Sequence, residues 1–167
     1  MSETLSPLLP DEVEEAARAL LERACEREVS IATAESCTGG LLASLLTDVE
    51  GASHAFERGF VVYTNEAKSE LLGIPLDLIE GAGAVSEAVA RAMAEGALGA
   101  SKAQIALSVT GFAGQGAPGD EPGLVHFACA RDGRPTAHRE EHFGDIGRGP
   151  VRLECIRIAL AMLDEAL

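Results

Sequence analysis

Residues 29–40 read VSIATAESCTGG, an apolar and β-branched run that stops at a polar, glycine-rich segment. Residues 29–33 predict a short buried strand, because β-branched side chains pack well in pleated sheets. Apolar residues at 41–46 then resume a helical spacing, so residues 35–40 connect the end of a strand to the start of a helix. A strand followed by a helix is typical of α/β proteins, whose ligand sites lie at the carboxyl ends of strands.

The rest of the chain continues this alternation. Apolar spacing predicts further helices at residues 13–24, at 66–72 with Asn65 as the N-cap, from Ser86 to about Leu98, and at the carboxyl end from Leu153 to Leu167. Strands are predicted at residues 59–64 and 104–109 and as a hairpin of residues 124–130 and 136–143, with loops at 51–58 and 73–86. The order α β α β α α β β β α predicts a three-layer α/β/α fold with a mixed, partly parallel sheet, in one domain spanning residues 1–167.

Composition and charge argue against several classes of function. Apolar residues make up 47% of the 167 residues and charged residues 24%, which is typical of a globular protein. The 13 Lys and Arg residues are outnumbered by 27 Asp and Glu residues, and the formal net charge of −14 repels phosphate backbones and anionic lipids. We therefore expect no direct nucleic-acid binding and no membrane partner.

The amino terminus and the cysteines indicate a reducing compartment. The first residues carry acids where a signal peptide has basic and apolar residues, and no apolar run reaches the roughly 18 residues of a membrane span. The cysteines lack the close spacing of a zinc or redox motif and are predicted to be reduced core thiols: Cys25, Cys37, Cys129 and Cys155. The chain is predicted to be cytoplasmic. Its oligomeric state stays open, although so small an Ala-rich domain is compatible with a second copy completing its core or pocket.

Three polar, glycine-rich segments fall at the ends of predicted strands, at residues 35–40, 63–68 and 110–116. Ser36 lies in the first of them, just before a helix whose free N–H groups would face it. Three interpretations of Ser36 stay open. It is a nucleophile whose oxyanion these amides stabilise, a hydroxyl that holds a ligand phosphate together with Thr38, or an ordinary helix cap.

Lys68 is the candidate base for such a serine. None of the three segments contains a histidine, and the chain has two lysines against eleven arginines. With Asn65 as N-cap, Lys68 falls in the first turn of a helix, where the helix dipole and partial burial both favour the neutral amine. The alternative is a structural lysine that lies along the helix and pairs with Glu35 or Glu66.

Two further segments carry residue types that take part in chemistry. Tyr63, the only tyrosine, either packs in the core or orients Ser36, Lys68 or a ligand. Residues 138–142, HREEH, fit the H-x-x-E-H string of zinc proteases, which requires a helix, but the alternation of residues 136–143 predicts a strand. Two imidazoles about 13 Å apart on a strand cannot share one ion, so no metal site is predicted.

Four segments, in consistent order, resemble the CinA C-terminal domain family. They are residues 34–40 (AESCTGG), residues 56–60 (FERGF) followed by 63–68 (YTNEAK), residues 83–87 (GAVSE) and residues 109–114 (VTGFAG). The resemblance covers nearly the whole chain. It implies the stand-alone form, without the larger amino-terminal domain of competence/damage-inducible CinA proteins.

The resemblance implies a deamidase of nicotinamide mononucleotide, a serine/lysine amidohydrolase with no metal or other cofactor and a small mononucleotide as its partner. The family's catalytic serine and lysine fall on Ser36 and Lys68. Tyr63 and Thr110 are expected to position the ring and ribose, and Arg148 or Arg152 to meet the phosphate. The full set expected to bind substrate is Glu35, Thr38, Gly39, Gly40, Tyr63, Asn65, Thr110, Gly111, Gly114, Arg148 and Arg152.

The chain departs from the family near its last helix. The family usually has Gly-Asp-Arg shortly before Val-Arg, whereas residues 144–152 read GDIGRGPVR, with two extra residues and Ile146 at the arginine position. Arg148 or Arg152 is expected to substitute, because a phosphate needs a local cation in so acidic a protein. Two other functions stay open: a non-catalytic nucleotide-binding or competence/damage-associated regulatory module, and a deamidase of a related pyridine nucleotide.

Overall fold

The computed structural model describes residues 9–52 and 54–167. The helices of this part are α1 (Asp11–Glu26), α2 (Leu41–Thr47), α3 (Asn65–Leu72), α4 (Leu76–Ala82), α5 (Glu87–Gly99) and α6 (Arg148–Ala166). Its strands are β1 (Ile31–Glu35), β2 (Phe56–Val61), β3 (Ile105–Gly111), β4 (Leu124–Arg131) and β5 (Ala137–His142).

The five strands form one mixed sheet in the order β2-β1-β3-β4-β5. β1 pairs in parallel with β2 and β3, and β4 pairs antiparallel with β3 and β5. One core lies between the sheet and α1, α2 and α6, and another lies between the sheet and α3, α4 and α5. Because helices cover both faces, every residue of β1 is buried. The predicted three-layer α/β fold is confirmed.

The parallel pairing of β1 with both of its neighbours places three carboxyl ends at one edge of the sheet. These strands end at Glu35, Val61 and Gly111. The polar, glycine-rich segments that follow them therefore meet at this edge, where α/β proteins bind ligands.

The main error of the sequence prediction is the loop at residues 73–86, which contains α4. This helix begins directly after Pro75, whose fixed φ is compatible with a helix start, and its Ile79 is fully buried. Seven residues are too few for the apolar spacing to be recognisable. The helix is stabilised by packing against α3 and α5 rather than by a strong local pattern.

Several element boundaries also differ from the prediction. β1 runs two residues later than residues 29–33, and β2 begins at Phe56 rather than at residue 59. Thr64, not Asn65, is the N-cap of α3, and its Oγ1 accepts a hydrogen bond from the Ala67 amide at 3.0 Å. Pairing with neighbouring strands and capping geometry set these limits, and neither is encoded in apolar spacing.

The structure bears on the predictions about membrane spans and cysteines, but not on most of the amino-terminal segment. Among residues 9–52 and 54–167, every helix is too short or too polar to cross a membrane. Residues 1–8, whose composition argues against a signal peptide, lie outside the described residues. All four cysteines are free thiols, three of them buried and Cys25 half-buried.

Candidate active site

A serine and a lysine lie in contact at the carboxyl edge of the sheet. Nζ of Lys68 is 3.1 Å from Oγ of Ser36. Ser36 is 8% exposed and Lys68 is 1% exposed, so the pair is almost fully removed from bulk water. The residues are 32 positions apart in the chain, and the parallel pairing of β1 with β2 brings them together.

The turn between β1 and α2 holds Ser36 in place. The Ser36 amide donates to the Val109 carbonyl at 3.0 Å, which extends the pairing of β1 with β3 by one residue. Gly39 and Gly40 then adopt left-handed conformations, at φ +59° and +96°, which glycine accepts without strain. The chain can therefore reverse after the serine and begin α2 at Leu41.

Glu35 is a fully buried carboxylate that stabilises this turn. It accepts hydrogen bonds from Oγ1 of Thr38 at 2.7 Å and from the amides of Leu42 and Ala43 at 2.9 and 3.0 Å. No side chain at the N-cap position bonds to α2, and Glu35 supplies the acceptor that the free amides need. The side chains of Glu35 and Thr38, which were expected to bind substrate, are thus engaged within the turn.

Lys68 reaches the serine from the fourth residue of α3. Its amine also donates to the carbonyls of Val62 at 3.1 Å and Tyr63 at 3.2 Å. It forms no ion pair with Glu35 or Glu66, the carboxylates expected if Lys68 were structural. Among the described residues, the hydrogen-bond partners of the amine are therefore one hydroxyl and two backbone carbonyls.

Burial lowers the pKa of Lys68 below that of an exposed lysine, because the ammonium loses its hydration in the wall of the site. A Coulombic interaction with Cys37 acts in the opposite direction and is the smaller effect. The surroundings of Lys68 thus favour the neutral amine, the form that can accept a proton.

The serine and lysine open into a cavity of about 290 Å³. Its wall is formed by Ser36, Cys37, Tyr63, Lys68, Ala84, Val85, residues 110–116 and Arg148. A groove of about 380 Å³ between α1 and α6 is larger, but it contains no residue from the carboxyl edge of the sheet. The smaller cavity is the candidate active site, because it alone of the two contains the buried serine and lysine.

Five of the residues expected to bind substrate line this cavity: Tyr63, Thr110, Gly111, Gly114 and Arg148. Oγ1 of Thr110 donates to the Ala84 carbonyl at 2.8 Å, so this hydroxyl ties β3 to the loop before α5. Tyr63 lies at the rim and is 70% exposed. Gly39, Gly40 and Asn65 lie outside the wall, since the glycines shape the serine turn and Asn65 begins α3.

The two arginines expected to meet a phosphate occupy different places. Arg148 begins α6 and lines the cavity, with its Nη2 3.1 Å from the point where a Cβ on Gly114 would lie. Arg152, one turn later, donates from Nη2 to the Thr38 carbonyl at 2.7 Å and does not line the cavity. Arg152 therefore supports the serine turn, and Arg148 is the one of these two arginines that lines the cavity.

Several groups in the wall were not identified from the sequence: Cys37, Val85, Phe112 and Gln115. Val85 and Phe112 lie inside two of the segments that resemble family motifs, so these two residues could have been predicted to line the site. Cys37 was expected as a reduced core thiol next to the candidate nucleophile. The backbone carbonyls that bind Lys68 could not be predicted from the sequence, because every residue has a backbone carbonyl.

The strand predicted for residues 136–143 is confirmed as β5, which carries both histidines of the HREEH string. Nε2 of His138 lies 3.0 Å from Nδ1 of His126, a buried residue of β4. His126, His138 and His142 all lie outside the cavity wall. Lys68 therefore stays the candidate base of this cavity, because these imidazoles do not reach it.

Comparison with known proteins identifies a family. The family model of the CinA C-terminal domain matches residues 13–167. A CinA-like protein from Syntrophus aciditrophicus is 43% identical over 143 residues, which cover 85% of this chain and 34% of that protein. The chain spans 23% to 34% of the length of five such CinA-like relatives. A protein from Enterobacter agglomerans named nicotinamide-nucleotide amidohydrolase PncC is 46% identical over 133 residues, covering 78% of this chain and 80% of that protein.

Solved structures of similar proteins share the fold. The competence/damage inducible protein CihA from Agrobacterium tumefaciens is 44% identical, with a TM-score of 0.90 over 93% of this chain and 96% of that one. A competence-damaged protein (CinA) superfamily protein from Escherichia coli is 34% identical, with a TM-score of 0.87 over 99% of this chain and 96% of that one.

Proposed function

The chain belongs to the CinA C-terminal domain family, and from this premise we propose that it is an amidohydrolase that converts nicotinamide mononucleotide to nicotinate mononucleotide and ammonia. The observation that carries the proposal is the contact of 3.1 Å between Ser36 Oγ and Lys68 Nζ, two buried side chains that line the cavity. The name of the Enterobacter agglomerans relative, which this chain matches over most of its length, supports the choice of substrate.

The hydrogen bonds of Lys68 support its role as a general base. A neutral amine has two N–H bonds and one lone pair. The carbonyls of Val62 and Tyr63 can accept the two N–H bonds, which leaves the lone pair for the hydroxyl proton of Ser36. This arrangement, together with the lowered pKa, is what activation of a serine by a lysine requires.

The hydrolysis proceeds in two halves. Lys68 takes the proton of Ser36 while Oγ attacks the carboxamide carbon, and the resulting ammonium returns that proton to the departing amine, which leaves as ammonia. The product of this half is an ester between Ser36 and the pyridine carboxylate. Lys68 then removes a proton from water, the hydroxide cleaves the ester, and the proton returns to Ser36 as nicotinate mononucleotide leaves.

Backbone amides in the wall are suited to hold the oxyanion. The amides of Cys37, Ala113 and Gly114 make no hydrogen bond with any other described residue, and all three residues line the cavity. Residues 38–40, which complete the turn between Ser36 and α2, lie outside the wall. We therefore assign the oxyanion to the turn after Ser36 and the loop after β3.

Arg148 is suited to bind the phosphate of the mononucleotide. It is the first residue of α6, a helix of 19 residues whose free amides carry partial positive charge. The net charge of −14 repels a phosphate elsewhere on the protein, so a local cation is needed to retain it. A guanidinium in the wall of the cavity meets that need.

Ammonia release from nicotinamide mononucleotide by the purified protein tests the proposal. Ser36→Ala should abolish release, whereas Ser44→Ala, on an exposed face of α2, should leave it unchanged. Turnover by Ser36→Ala at the wild-type rate would refute the covalent mechanism. Binding without product would instead identify a nucleotide-binding module, and faster turnover of another pyridine nucleotide in the same assay would identify a related deamidase.

A further inference from the structure

Gln115 is a polar residue of the cavity wall that has no role in the proposed hydrolysis. It lies in the loop between β3 and β4, and its amide Nε2 donates to Oδ2 of Asp145 at 2.7 Å. Asp145 lies in the segment between β5 and α6 and does not line the cavity. A side chain of the wall is therefore fixed by a partner outside the wall.

The hydrogen bond to Asp145 determines which end of the Gln115 amide remains available. A carboxylate accepts hydrogen bonds and donates none, so the NH2 group rather than the carbonyl oxygen faces Asp145. Oε1 of Gln115 makes no hydrogen bond with any other described residue. The wall of the cavity thus contains an oriented amide whose oxygen is available as an acceptor.

Two close contacts hold the two segments together on either side of this hydrogen bond. On one side, Nη2 of Arg148 lies 3.1 Å from the point where a Cβ on Gly114 would lie. On the other side, a Cβ on Gly123 would overlap the backbone of Gly144. The bond between the two side chains lies between these contacts along both segments, so packing as well as hydrogen bonding fixes the position of the amide.

The place of Gln115 in the wall suits the ribose of a mononucleotide. Under the proposed function, the carboxamide lies at Ser36 and the phosphate at Arg148, and the ribose connects the two. Gln115 directly follows Gly114, the residue against which the Arg148 guanidinium packs. Ribose hydroxyls are hydrogen-bond donors, and an amide oxygen accepts from them without the repulsion that a carboxylate would exert on the nearby phosphate.

We propose that Gln115 is a specificity-determining residue whose Oε1 accepts a hydrogen bond from a ribose hydroxyl, and that Asp145 is the positioning residue that orients it. This assignment rests on the proposed function and adds to it a basis for selecting a ribosylated pyridine over the free pyridine carboxamide. Free nicotinamide lacks both the ribose donor and the phosphate, so it loses the contacts to Gln115 and Arg148 together.

Substrate analogues combined with the variant Gln115→Met test the hydrogen bond. Methionine has a similar length and no acceptor of comparable strength, so kcat/KM for nicotinamide mononucleotide should fall about 5–10-fold, the size expected for one neutral hydrogen bond. The 2′-deoxy and 3′-deoxy analogues each lack one candidate donor. With one of them, the wild type should already show this loss and Gln115→Met should add nothing further. Equal losses on Gln115→Met with all three substrates would overturn the proposal.

Three further variants separate orientation of the amide from a general effect on the fold. Asp145→Ala should reproduce the loss with nicotinamide mononucleotide but not with the same deoxy analogue, whereas Asp145→Asn, whose Oδ1 can still accept from Gln115, should retain most of the activity. Equal losses for Asp145→Ala with both substrates would overturn its positioning role. Gln104→Met changes the other glutamine, which lies outside the cavity wall, and should leave kcat/KM unchanged.

Calorimetric binding to the Ser36→Ala protein makes the test independent of catalysis. In this background, Gln115→Met should weaken binding of nicotinamide mononucleotide by the same factor and leave binding of the same deoxy analogue unchanged. A protein with this affinity pattern that releases no ammonia refutes the proposed function and leaves the role of Gln115 in place. Ammonia release and mononucleotide binding that are both unaffected by Gln115→Met overturn the role of Gln115 and leave the proposed function in place.

Discussion

Replacement of Lys68 by methionine tests whether its amine is the base, because the substitution removes the amine and leaves the rest of the cavity wall in place. Methionine has a similar length and no amine, so it fills the space between α3 and Ser36 without accepting a proton. We expect kcat for deamidation of nicotinamide mononucleotide to fall toward the upper end of the range of about 10²–10⁴-fold that general acid–base groups contribute.

The expected size follows from the composition of the cavity wall. The other titratable side chains that line it are Cys37, Tyr63 and Arg148, and none of them is an imidazole or a carboxylate. No neighbouring base can therefore replace the amine that contacts Ser36. A 10⁴-fold loss corresponds to about 5 kcal/mol of transition-state stabilisation.

The same substitution should leave the protein folded. It removes the hydrogen bonds to the Val62 and Tyr63 carbonyls, each worth about 1 kcal/mol, and removal of a buried amine offsets part of this loss. We expect the free energy of unfolding to fall by no more than about 2 kcal/mol.

Ammonia release and urea denaturation, measured on the same preparations, check both expectations. Lys102→Met is the matched control, because Lys102 is the other lysine of the chain and is exposed outside the cavity. A folded Lys68→Met variant with kcat within tenfold of the wild type would refute the assignment of Lys68 as the base.

Three further predictions concern pH, the two arginines and the packing of α5. In a pH series, kcat/KM should rise as Lys68 loses its proton. Because burial lowers the pKa of Lys68, the midpoint of this rise should lie below the usual lysine value of about 10.4. A midpoint at or above that value would contradict the assignment of Lys68 as the base. In steady-state assays, Arg148→Met should raise KM about 10–100-fold, because a charge-assisted phosphate contact is lost. Arg152→Met should instead lower kcat with little change in KM, since Arg152 binds the Thr38 carbonyl and so holds the serine turn. The reverse pattern would contradict the roles assigned to the two arginines. In thermal denaturation, Gly96→Ala should destabilise the protein by about 1–3 kcal/mol, because its Cβ would lie 2.3 Å from the Leu72 carbonyl oxygen. The control Gly99→Ala, on the same helix, meets open space and should be neutral or stabilising by up to about 1 kcal/mol. Equal effects of the two substitutions would contradict the close approach of α3 to α5.

The candidate nucleophile and base were recognisable from local rules. Ser36 follows a buried strand, and Lys68 is one of two lysines in a chain whose strand-end segments lack histidine. The assignment of the remaining groups was less complete. Glu35 and Thr38 belong to the same motif as Ser36, but their side chains bond to each other and to α2. A motif preserves residues that shape a turn as well as residues that touch a ligand, and sequence does not distinguish the two.

The order of helices and strands apart from α4, the acidic charge and the chemical groups near each strand end are properties of the chain itself, and the sequence alone determined them. Only the tertiary structure decided that Arg148 faces the cavity while Arg152 faces the serine turn, and that two carbonyls orient the Lys68 amine. The physical reason is that spacing along the chain determines which face of an element is apolar. The distances between groups on different elements depend on how α3 and α6 pack against the sheet, and that packing is a property of the whole fold.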